Sequence, residues 1–253
     1  ILERASARET AVRVAAGTVL RQYLRALGVE IAGFVRACGG VSDEEEYAFD
    51  DIVAKRSPDL GMMNSGKERE AKAYIDGCAE RGDTCGGILE LRVKGLKSGF
   101  GSCMTYAEKL DARLAAALVS VQAVKGVEFG LGFGAAVRPG SDVHDEIYYN
   151  EQRGFYRETN RAGGIEGGMS NGEELVIRAA MKPIPTLMKG LNTVDYLTKQ
   201  PVRAATERSD VCAITACEVV LESALAAELA KIVAERLGGD HMQEVIERYG
   251  RLV

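Results

Sequence analysis

The feature that most constrains this 253-residue chain is a run of five glycines within ten residues. They are Gly163, Gly164, Gly167, Gly168 and Gly172, and an alternating apolar segment follows them. Glycine loses much backbone entropy on folding, so this density indicates left-handed dihedrals or a backbone that closely approaches another group. A glycine-rich surface loop ahead of an ordinary strand accounts for the composition equally well. Composition alone leaves both interpretations open.

The overall composition is that of a soluble globular protein, with 46% hydrophobic and 27% charged residues. The length allows a substantial core, and no linker-like stretch divides it, so we expect one merged domain over residues 1–253. A net charge of −5 argues against a nucleic-acid partner, although it leaves room for a local basic pocket. No apolar run is long enough to cross a bilayer, so we expect no membrane partner.

Six cysteines lie at irregular spacings in apolar contexts: Cys38, Cys78, Cys85, Cys103, Cys212 and Cys217. Zinc sites favour tight CxxC pairs, which are absent here, so the sequence predicts no metal site. Disulfide frameworks belong to short secreted chains. We therefore predict reduced, mostly buried thiols in a cytoplasmic protein.

Apolar periodicity predicts a mixture of helices and strands, an α/β or α+β fold. The predicted helices cover residues 6–27, 68–81, 106–124, 216–237 and 242–249. The predicted strands cover residues 29–35, 88–93, 127–131, 175–181, 193–197 and 202–205. Ser6 and Glu9 fit a capping box at the first helix. Residues 39–64 are acidic and irregular, and residues 43–46 within them predict a solvated loop. Residues 138–157 predict a polar loop with a short hairpin through Tyr148, Tyr149 and Phe155.

A formal dinucleotide-binding pattern, G-x-G-x-x-A, follows the strand predicted at residues 127–131. That pattern works only where a helix begins, because the helix N-terminus holds the pyrophosphate. Pro139 and Gly140 follow almost at once and deny that helix. We therefore reject a nicotinamide-type Rossmann site. The two histidines are far apart: His241 is predicted to be a surface or capping residue, and His144 to hydrogen-bond within its loop.

Two short segments have the composition of an anion site. Residues 4–6 stand at a helix start, where free N–H groups favour a negative ligand. Residues 208–210 place a cation beside a carboxylate just ahead of the last long helix. A surface ion pair and two helix caps explain the same residues, and spacing alone favours that explanation.

Six segments, taken together, resemble the chorismate synthase family. They are LERASARETAVRVAAGTV (2–19), SVQAVKGVEFG (120–130), HDE (144–146), NRAGGIEGGMSNG (160–172), AAMKPIPT (179–186) and RSDVCA (208–213). They occur in the family's order across the whole chain. The resemblance implies a β-α-β sandwich in a homotetramer with reduced FMN bound in each subunit.

The activity implied by the resemblance belongs to the shikimate pathway of aromatic amino acid biosynthesis. It is a lyase reaction that converts 5-enolpyruvylshikimate 3-phosphate to chorismate and phosphate by 1,4-anti-elimination, without net redox change. The reduced flavin comes either from an external flavin reductase or from an NADPH-dependent activity, and the sequence leaves both open.

The resemblance also implies the site residues by matching position. The expected FMN contacts are Arg4, Ala5, Ser6, Gln122, Ala123, Gly167, Lys182, Pro183, Ile184, Pro185, Thr186 and Arg208. Asp210 matches the family aspartate near flavin N5, where it is expected to accept a proton. These residue types suit a flavin site, because glycine admits the ring closely, prolines stiffen the segment of Lys182, and arginines offset phosphate charge.

Two departures from the family pattern bear on function. The family's N-terminal portion, with two catalytic histidines and an arginine-rich segment, has no counterpart in this sequence, so we expect the chain to correspond to the remaining two thirds or so. Neither His144 nor His241 is assigned a catalytic histidine's role, and the alternative function is an FMN-binding or assembly fragment without turnover. Thr215 stands where the family usually has proline. With Glu218 it fits a capping box that is expected to preserve the helix start.

Overall fold

A five-stranded antiparallel sheet with helices packed against it positions the candidate site. The computed structural model describes residues 1–55, 59–206 and 208–252. The α-helices are α1 (Leu2–Ala5), α2 (Thr10–Arg25), α3 (Phe49–Ala54), α4 (Ser65–Glu80), α5 (Leu110–Val119), α6 (Ile214–Leu237) and α7 (Met242–Gly250). The strands are β1 (Glu30–Cys38), β2 (Val41–Ser42), β3 (Gly87–Lys94), β4 (Val124–Phe129), β5 (Ile147–Asn150), β6 (Gly154–Arg157), β7 (Ile165–Glu166), β8 (Met169–Ser170), β9 (Leu175–Met181), β10 (Asn192–Val194) and β11 (Pro201–Arg203).

The strand order in the main sheet is β2-β1-β3-β9-β4, and every neighbouring pair is antiparallel. Alternate residues of a strand point to opposite faces. In β9 the residues Leu175, Ile177, Ala179 and Met181 are buried, and those between them are partly or fully exposed. One face of the sheet is therefore apolar and packs against α6, whereas α3 packs on the opposite face, where Phe49 and Ile52 contact Ala32 and Phe34 of β1. The α+β class predicted from periodicity is confirmed.

Helix α6 fills the centre of the core. It packs against β1 and β3 and also against α2 and α5. Its residues Leu221, Leu225 and Leu229 are fully buried, as expected for a helix that is apolar on all sides. Gly17 of α2 allows the closest approach, because a Cβ atom at that position would lie 2.5 Å from the Cβ of Ser223.

The other face of the sheet carries a network of charged side chains. Glu90 accepts hydrogen bonds from Arg36 at 2.7 and 2.9 Å and from Arg92 at 2.6 Å. Arg92 also donates to Glu174 at 3.1 Å. Arg36 and Glu90 are buried, so each charge depends on its partners for compensation.

The solvated loop predicted at residues 43–46 is confirmed for Glu44, Glu45 and Glu46, which are exposed and outside any helix or strand, but not for Asp43, and the segment 39–64 is less irregular than predicted. It contains β2 and α3, and residues 56–58 lie outside the described residues. Asp43 is only 2% exposed. Its carboxylate accepts hydrogen bonds from the Tyr47 hydroxyl at 2.8 Å and from the Asn64 backbone N–H at 3.1 Å. The bond from Asn64 ties Asp43 to a residue 21 positions away, at the start of α4.

The other predicted elements are confirmed, with corrected ends. The helix predicted over residues 106–124 is shorter, because Val124 already belongs to β4. The strand predictions at residues 193–197 and 202–205 correspond to the hairpin of β10 and β11, and the predicted Tyr148–Phe155 hairpin is β5 and β6. After β4 the chain forms a six-residue 3-10 helix, Gly132–Val137, instead of an α-helix, as the rejection of a dinucleotide site requires. No helix in the described part of the chain is long and apolar enough to span a membrane.

Both capping-box predictions are wrong. The Ser6 hydroxyl accepts a hydrogen bond from the backbone N–H of Arg8 at 3.4 Å, so Ser6 does act as a cap. The Glu9 carboxylate instead accepts hydrogen bonds from Arg13 and Gln122. Helix α6 begins at Ile214 with Ala213 at its cap position and no side-chain cap. Although Thr215 replaces the family proline, a helix does begin here, at Ile214, as expected.

Candidate functional site

Four strands of the main sheet have their ends side by side, at one end of the sheet that we call the Met181 end. Cys38 of β1 pairs with Gly87 of β3, and Gly87 pairs with Met181 of β9. Met181 pairs in turn with Val124 of β4. The segments that enter or leave these strands, including residues 122–123 and 182–186, therefore come together at this end.

The Lys182–Thr186 arm is fixed to the Met181 end by its backbone. The N–H of Lys182 donates to the carbonyl oxygen of Ala123 at 2.9 Å. The Thr84 hydroxyl donates to the carbonyl oxygen of Ile184 at 2.7 Å. Gly86 lies beneath the arm, where a Cβ atom would collide with the carbonyl oxygen of Met181. Lys182, meanwhile, is exposed, so the arm holds its backbone in place and presents its cation to solvent.

Gln122 joins the N-terminal segment to the Met181 end. Its Nε2 donates to Glu9 Oε1 at 2.8 Å, and Arg13 pairs with the same carboxylate at 2.9 Å. The hydrogen bond from Gln122, followed by that from Arg13, lowers the pKa of Glu9 below its ordinary value. Gln122 Oε1 is buried and accepts no hydrogen bond from any described residue. A buried acceptor without a donor is unusual in a folded protein.

Ala123 adopts a left-handed backbone conformation, with φ of 73°. Residues with a Cβ atom rarely occupy this region, and such strain is concentrated at functional sites. The strain places the Ala123 carbonyl where it accepts from Lys182. Sequence reasoning named Ala123 only through the family resemblance, because alanine gives no signal of a positive φ.

The 208–210 segment reaches the Met181 end through the hydrogen bond from the Cys85 N–H to the carbonyl oxygen of Val211, at 3.0 Å. Asp210 lines a cavity of about 360 Å³ together with Lys72 and Cys212. Asp210 and Arg208 are exposed, and neither forms an ion pair with another described residue.

Arg4 and Lys182 are also exposed and likewise have no ion-pair partner within the described ranges. The predicted FMN-contact residues thus include three exposed cations, Arg4, Lys182 and Arg208, that form no ion pair with a carboxylate of the described residues, although Arg4 is close enough to Glu9 to interact with it electrostatically. Unpaired guanidinium and ammonium groups are the ordinary ligands of phosphate.

The five glycines of the 163–172 run all have positive φ, between 60° and 93°. A Cβ atom at Gly163 would collide with the backbone N of Gly130, and one at Gly164 would lie 2.7 Å from the carbonyl oxygen of Glu174. The interpretation as left-handed, closely packed backbone is confirmed, and a plain surface loop is the wrong description of this part. Gly167 differs, because a Cβ atom there would meet nothing within 4 Å.

Gly167, a predicted FMN contact, lies away from the Met181 end. It forms the turn between β7 and β8, and the next residue, Gly168, accepts a hydrogen bond from the N–H of Leu110 at the start of α5. Gln122 lies past the other end of α5. Within one chain, Gly167 and Lys182 therefore lie at opposite ends of β9.

Asp145 organises the start of the glycine run, and sequence reasoning assigned it no role. Its carboxylate accepts hydrogen bonds from the Thr159 hydroxyl at 2.5 Å and from the N–H groups of Arg161 and Ala162 at 2.8 and 2.9 Å. Burial acts to raise the pKa of Asp145, but these hydrogen bonds outweigh it and hold the pKa below its ordinary value. The HDE segment contained this residue, so its position in a matching motif was the available signal.

The two histidines make local contacts, each within its own segment of the chain. His241 caps α7, since its Nδ1 accepts from the Gln243 N–H at 3.2 Å, which confirms the predicted capping role. His144 is exposed, and its backbone N–H donates to the carbonyl oxygen of Gly140 at 3.0 Å.

Three of the six cysteines converge beside the 208–210 segment. The Sγ atoms of Cys38, Cys85 and Cys212 all lie within 4.8 Å of one another. The hydrogen bond with Cys38 lowers the pKa of Cys212 to about 6, and burial opposes that change. The same hydrogen bond raises the pKa of Cys38, and burial raises that of Cys85 to about 12. The prediction of mostly buried thiols is confirmed, but their irregular spacing gave no sign of this convergence.

Comparisons with known proteins identify the family of the chain. A model of the family described as chorismate synthase matches residues 1–234. The chain is 52% identical to chorismate synthase of Geobacter sulfurreducens, over 98% of this chain and 66% of that protein. It is 51% identical to chorismate synthase of Thermus thermophilus, over 99% of this chain and 66% of that protein.

A solved structure described as a crystal structure of chorismate synthase superposes with a TM-score of 0.84 at 40% identity, covering 99% of this chain and 70% of the other. The chain thus spans slightly less than two thirds of the length of these curated relatives. The expected chorismate synthase-like fold is confirmed, and the chain belongs to the chorismate synthase family.

Proposed function

We propose that this chain forms the flavin-binding part of a chorismate synthase, a carbon–oxygen lyase that converts 5-enolpyruvylshikimate 3-phosphate to chorismate and phosphate. The observation that carries the proposal is the convergence of family-matching segments at the Met181 end. Residues 122–123, 182–186 and 208–210 are distant in sequence, yet hydrogen bonds of their backbones and neighbours bring them to one end of the sheet, and Glu9, three residues after Ser6, bonds to Gln122.

The residues at this end of the sheet fit a flavin mononucleotide. The buried Gln122 Oε1 needs a donor, and the flavin ring system offers an N–H group. Arg4, Lys182 and Arg208 are exposed cations without an ion-pair partner among the described residues, which suits the phosphate of FMN and that of the substrate. When bound, reduced FMN would supply electron density to the substrate as phosphate leaves, with no net redox change.

The chain's own residues contribute positioning and proton transfer. Pro183 and Pro185 fix φ on either side of Ile184, so the arm stays rigid and Lys182 remains at the Met181 end. The Asp210 carboxylate, exposed and without an ion-pair partner among the described residues, can accept a proton when the hydrogen leaves C6. Elimination breaks the bond between C3 and the phosphate oxygen and the C–H bond at C6, and the phosphate departs toward the cations.

Three further features belong to the same proposal. The protein acts in the cytoplasm as a homotetramer. Because Gly167 and Lys182 lie at opposite ends of β9 within one chain, the Gly167 contact implied by the family position is to the FMN of a neighbouring subunit. The reduced flavin comes from an external flavin reductase or from an NADPH-dependent activity. Adding NADPH with oxidised FMN to the purified chain distinguishes these sources, because only the second one bleaches the flavin without another protein.

The direct test is an anaerobic assay of the purified 253-residue chain with chemically reduced FMN and 5-enolpyruvylshikimate 3-phosphate. We expect chorismate and phosphate to appear in equal amounts, with no net oxidation of the flavin. A chain that binds neither oxidised nor reduced FMN, measured by flavin fluorescence and equilibrium dialysis, would contradict the proposal.

The second candidate function is FMN binding or assembly without turnover. It is favoured by the observation that the chain spans only 66% of the length of its relatives. The same assay separates the two candidates, since tight flavin binding without chorismate formation supports this alternative.

A further inference from the structure

The three converging thiols are held in place by the backbone and not by chance contact of flexible side chains. Cys38 is the last residue of β1, Cys85 lies two residues before β3, and Cys212 lies two residues before α6. The Gly39 N–H donates to the carbonyl oxygen of Gly86 at 3.0 Å, and the Cys85 N–H donates to that of Val211 at 3.0 Å. Both bonds join residues next to the cysteines, so the three Cα positions are coupled.

The spacing of the sulfur atoms matches what one metal ion requires. A zinc–sulfur bond is about 2.3 Å, so thiolates that share one ion lie roughly 3.8–4.0 Å apart. Cys38 Sγ and Cys212 Sγ are 3.8 Å apart, and all three Sγ atoms lie within 4.8 Å. A displacement of the third sulfur by at most about 1 Å, which rotation about its Cα–Cβ bond supplies, brings it into range.

The surroundings supply the outer contacts and the access that a metal site needs. The backbone N–H groups of Ile214 and Ala213, at the start of α6, hydrogen-bond to the Cys212 sulfur, and such contacts orient a thiolate ligand. Cys38 and Cys85 are buried, whereas Cys212 is half-buried and lines the 360 Å³ cavity. The cavity gives an ion a path from solvent and leaves a fourth coordination position for water.

We propose that Cys38, Cys85 and Cys212 form a binding site for one thiophilic d10 cation, Zn²⁺ in the first instance. Thiolates select such ions over hard cations such as Mg²⁺. Binding forms three S–metal bonds, and each ligand sulfur that still carries a proton loses it to the buffer. The bound ion ties the segment that carries Arg208 and Asp210 to the ends of β1 and β3. This proposal is independent of the proposed lyase function.

The test uses the full chain, freed of metal and kept under a phosphine reductant that holds the thiols reduced. Cd²⁺ serves as the probe, because its thiolate complexes absorb in the ultraviolet, and Zn²⁺ competition gives the affinity for zinc. We expect one Cd²⁺ per chain, proton release on binding, and displacement by Zn²⁺. Substitutions Cys38→Ser and Cys85→Ser should each weaken binding roughly 100-fold or more.

Two control variants separate the cluster from the other thiols. Cys103→Ser removes an exposed cysteine and Cys78→Ser a buried one, and neither should change the stoichiometry or the affinity. Circular dichroism checks that every variant is folded. X-ray absorption of the zinc-loaded unsubstituted chain counts the sulfur neighbours directly. Three sulfurs at about 2.3 Å are expected; fewer than three, or equal binding by all variants, overturns the proposal.

Discussion

Ala123 carries a backbone strain that a larger side chain would increase. With φ of 73°, a residue with a Cβ atom is disfavoured by about 1–2 kcal/mol. We expect Ala123→Val to lower the free energy of unfolding by about 1–2 kcal/mol, because a β-branched residue tolerates this region poorly. Urea denaturation measures the change. Ala116→Val, on the exposed face of α5, is the control and should cost no more than about 0.7 kcal/mol; equal costs would remove the strain argument.

Asp210 is the residue on which the proposed chemistry depends most. Asp210→Asn removes the proton acceptor but keeps the size of an exposed side chain. We expect turnover of a chorismate-forming preparation to fall roughly 10²–10⁴-fold, with FMN affinity and thermal unfolding nearly unchanged. Steady-state kinetics with reduced FMN checks the first point and calorimetry the second. Normal turnover in this variant would rule out the role assigned to Asp210.

Asp145 predicts how stability depends on pH. Its pKa is held below the ordinary value in the folded chain, so its contribution is fully present above the unfolded pKa of about 3.9 and is lost as pH falls through the lower folded value. Asp145→Asn should cost about 1–3 kcal/mol at pH 7. The gap from the unsubstituted chain should narrow below pH 4, as urea unfolding across pH 2–7 would show. A constant gap would contradict the assignment.

Residue by residue, the sequence predicts roles where a motif carries them and fails where a role arises from distant contacts. The match at residues 182–186 identified an arm that the structure anchors on Ala123 and Thr84. Nothing in the local sequence showed that Asp43 would be buried by Tyr47 and Asn64. The sulfur cluster is the extreme case, since Cys38 and Cys212 are separated by 174 positions.

Among the elements, the crossing of α2 and α6 depends on Gly17. Because its Cβ position lies 2.5 Å from the Cβ of Ser223, Gly17→Ala should force the helices apart and lower the free energy of unfolding by about 1–3 kcal/mol. Gly250→Ala is the matched control, since nothing lies within 4 Å of its Cβ position. The control should be neutral or stabilising by up to about 1 kcal/mol. Thermal and urea unfolding of both variants decide the point.

The elements themselves follow closely from apolar periodicity. Strand β9 has the predicted bounds, and α6 is predicted to within two residues, because both have long uninterrupted patterns. Periodicity could not fix the ends of α5, because its flanking residues also have helix-compatible side chains. Residues 106–108 form a turn, Gln122 donates to Glu9, and the carbonyl of Ala123 accepts from Lys182. It also could not give the strand order, which depends on pairings between residues far apart in sequence.

For the whole molecule, the homotetramer remains a prediction with a simple measurement. Four chains of 27.2 kDa each give a particle of about 109 kDa. Val12 and Val19 of α2 are 74% and 64% exposed, and burying such apolar side chains between subunits stabilises an assembly. Sedimentation equilibrium across a range of protein concentrations should give this mass. A single species of 27.2 kDa at all concentrations would contradict it.

The central place of β9 also sets the order in which the chain can fold. Strand β9 lies between β3 and β4, so residues near position 90 acquire their second neighbour only after residue 181 has been synthesised. Pairings over such sequence separations close slowly, because a long loop must be ordered first. On the ribosome, β3 therefore remains an open strand edge while nearly ninety further residues are added. This interval is the period in which a nascent chain of this topology is most exposed to mispairing and most dependent on chaperones.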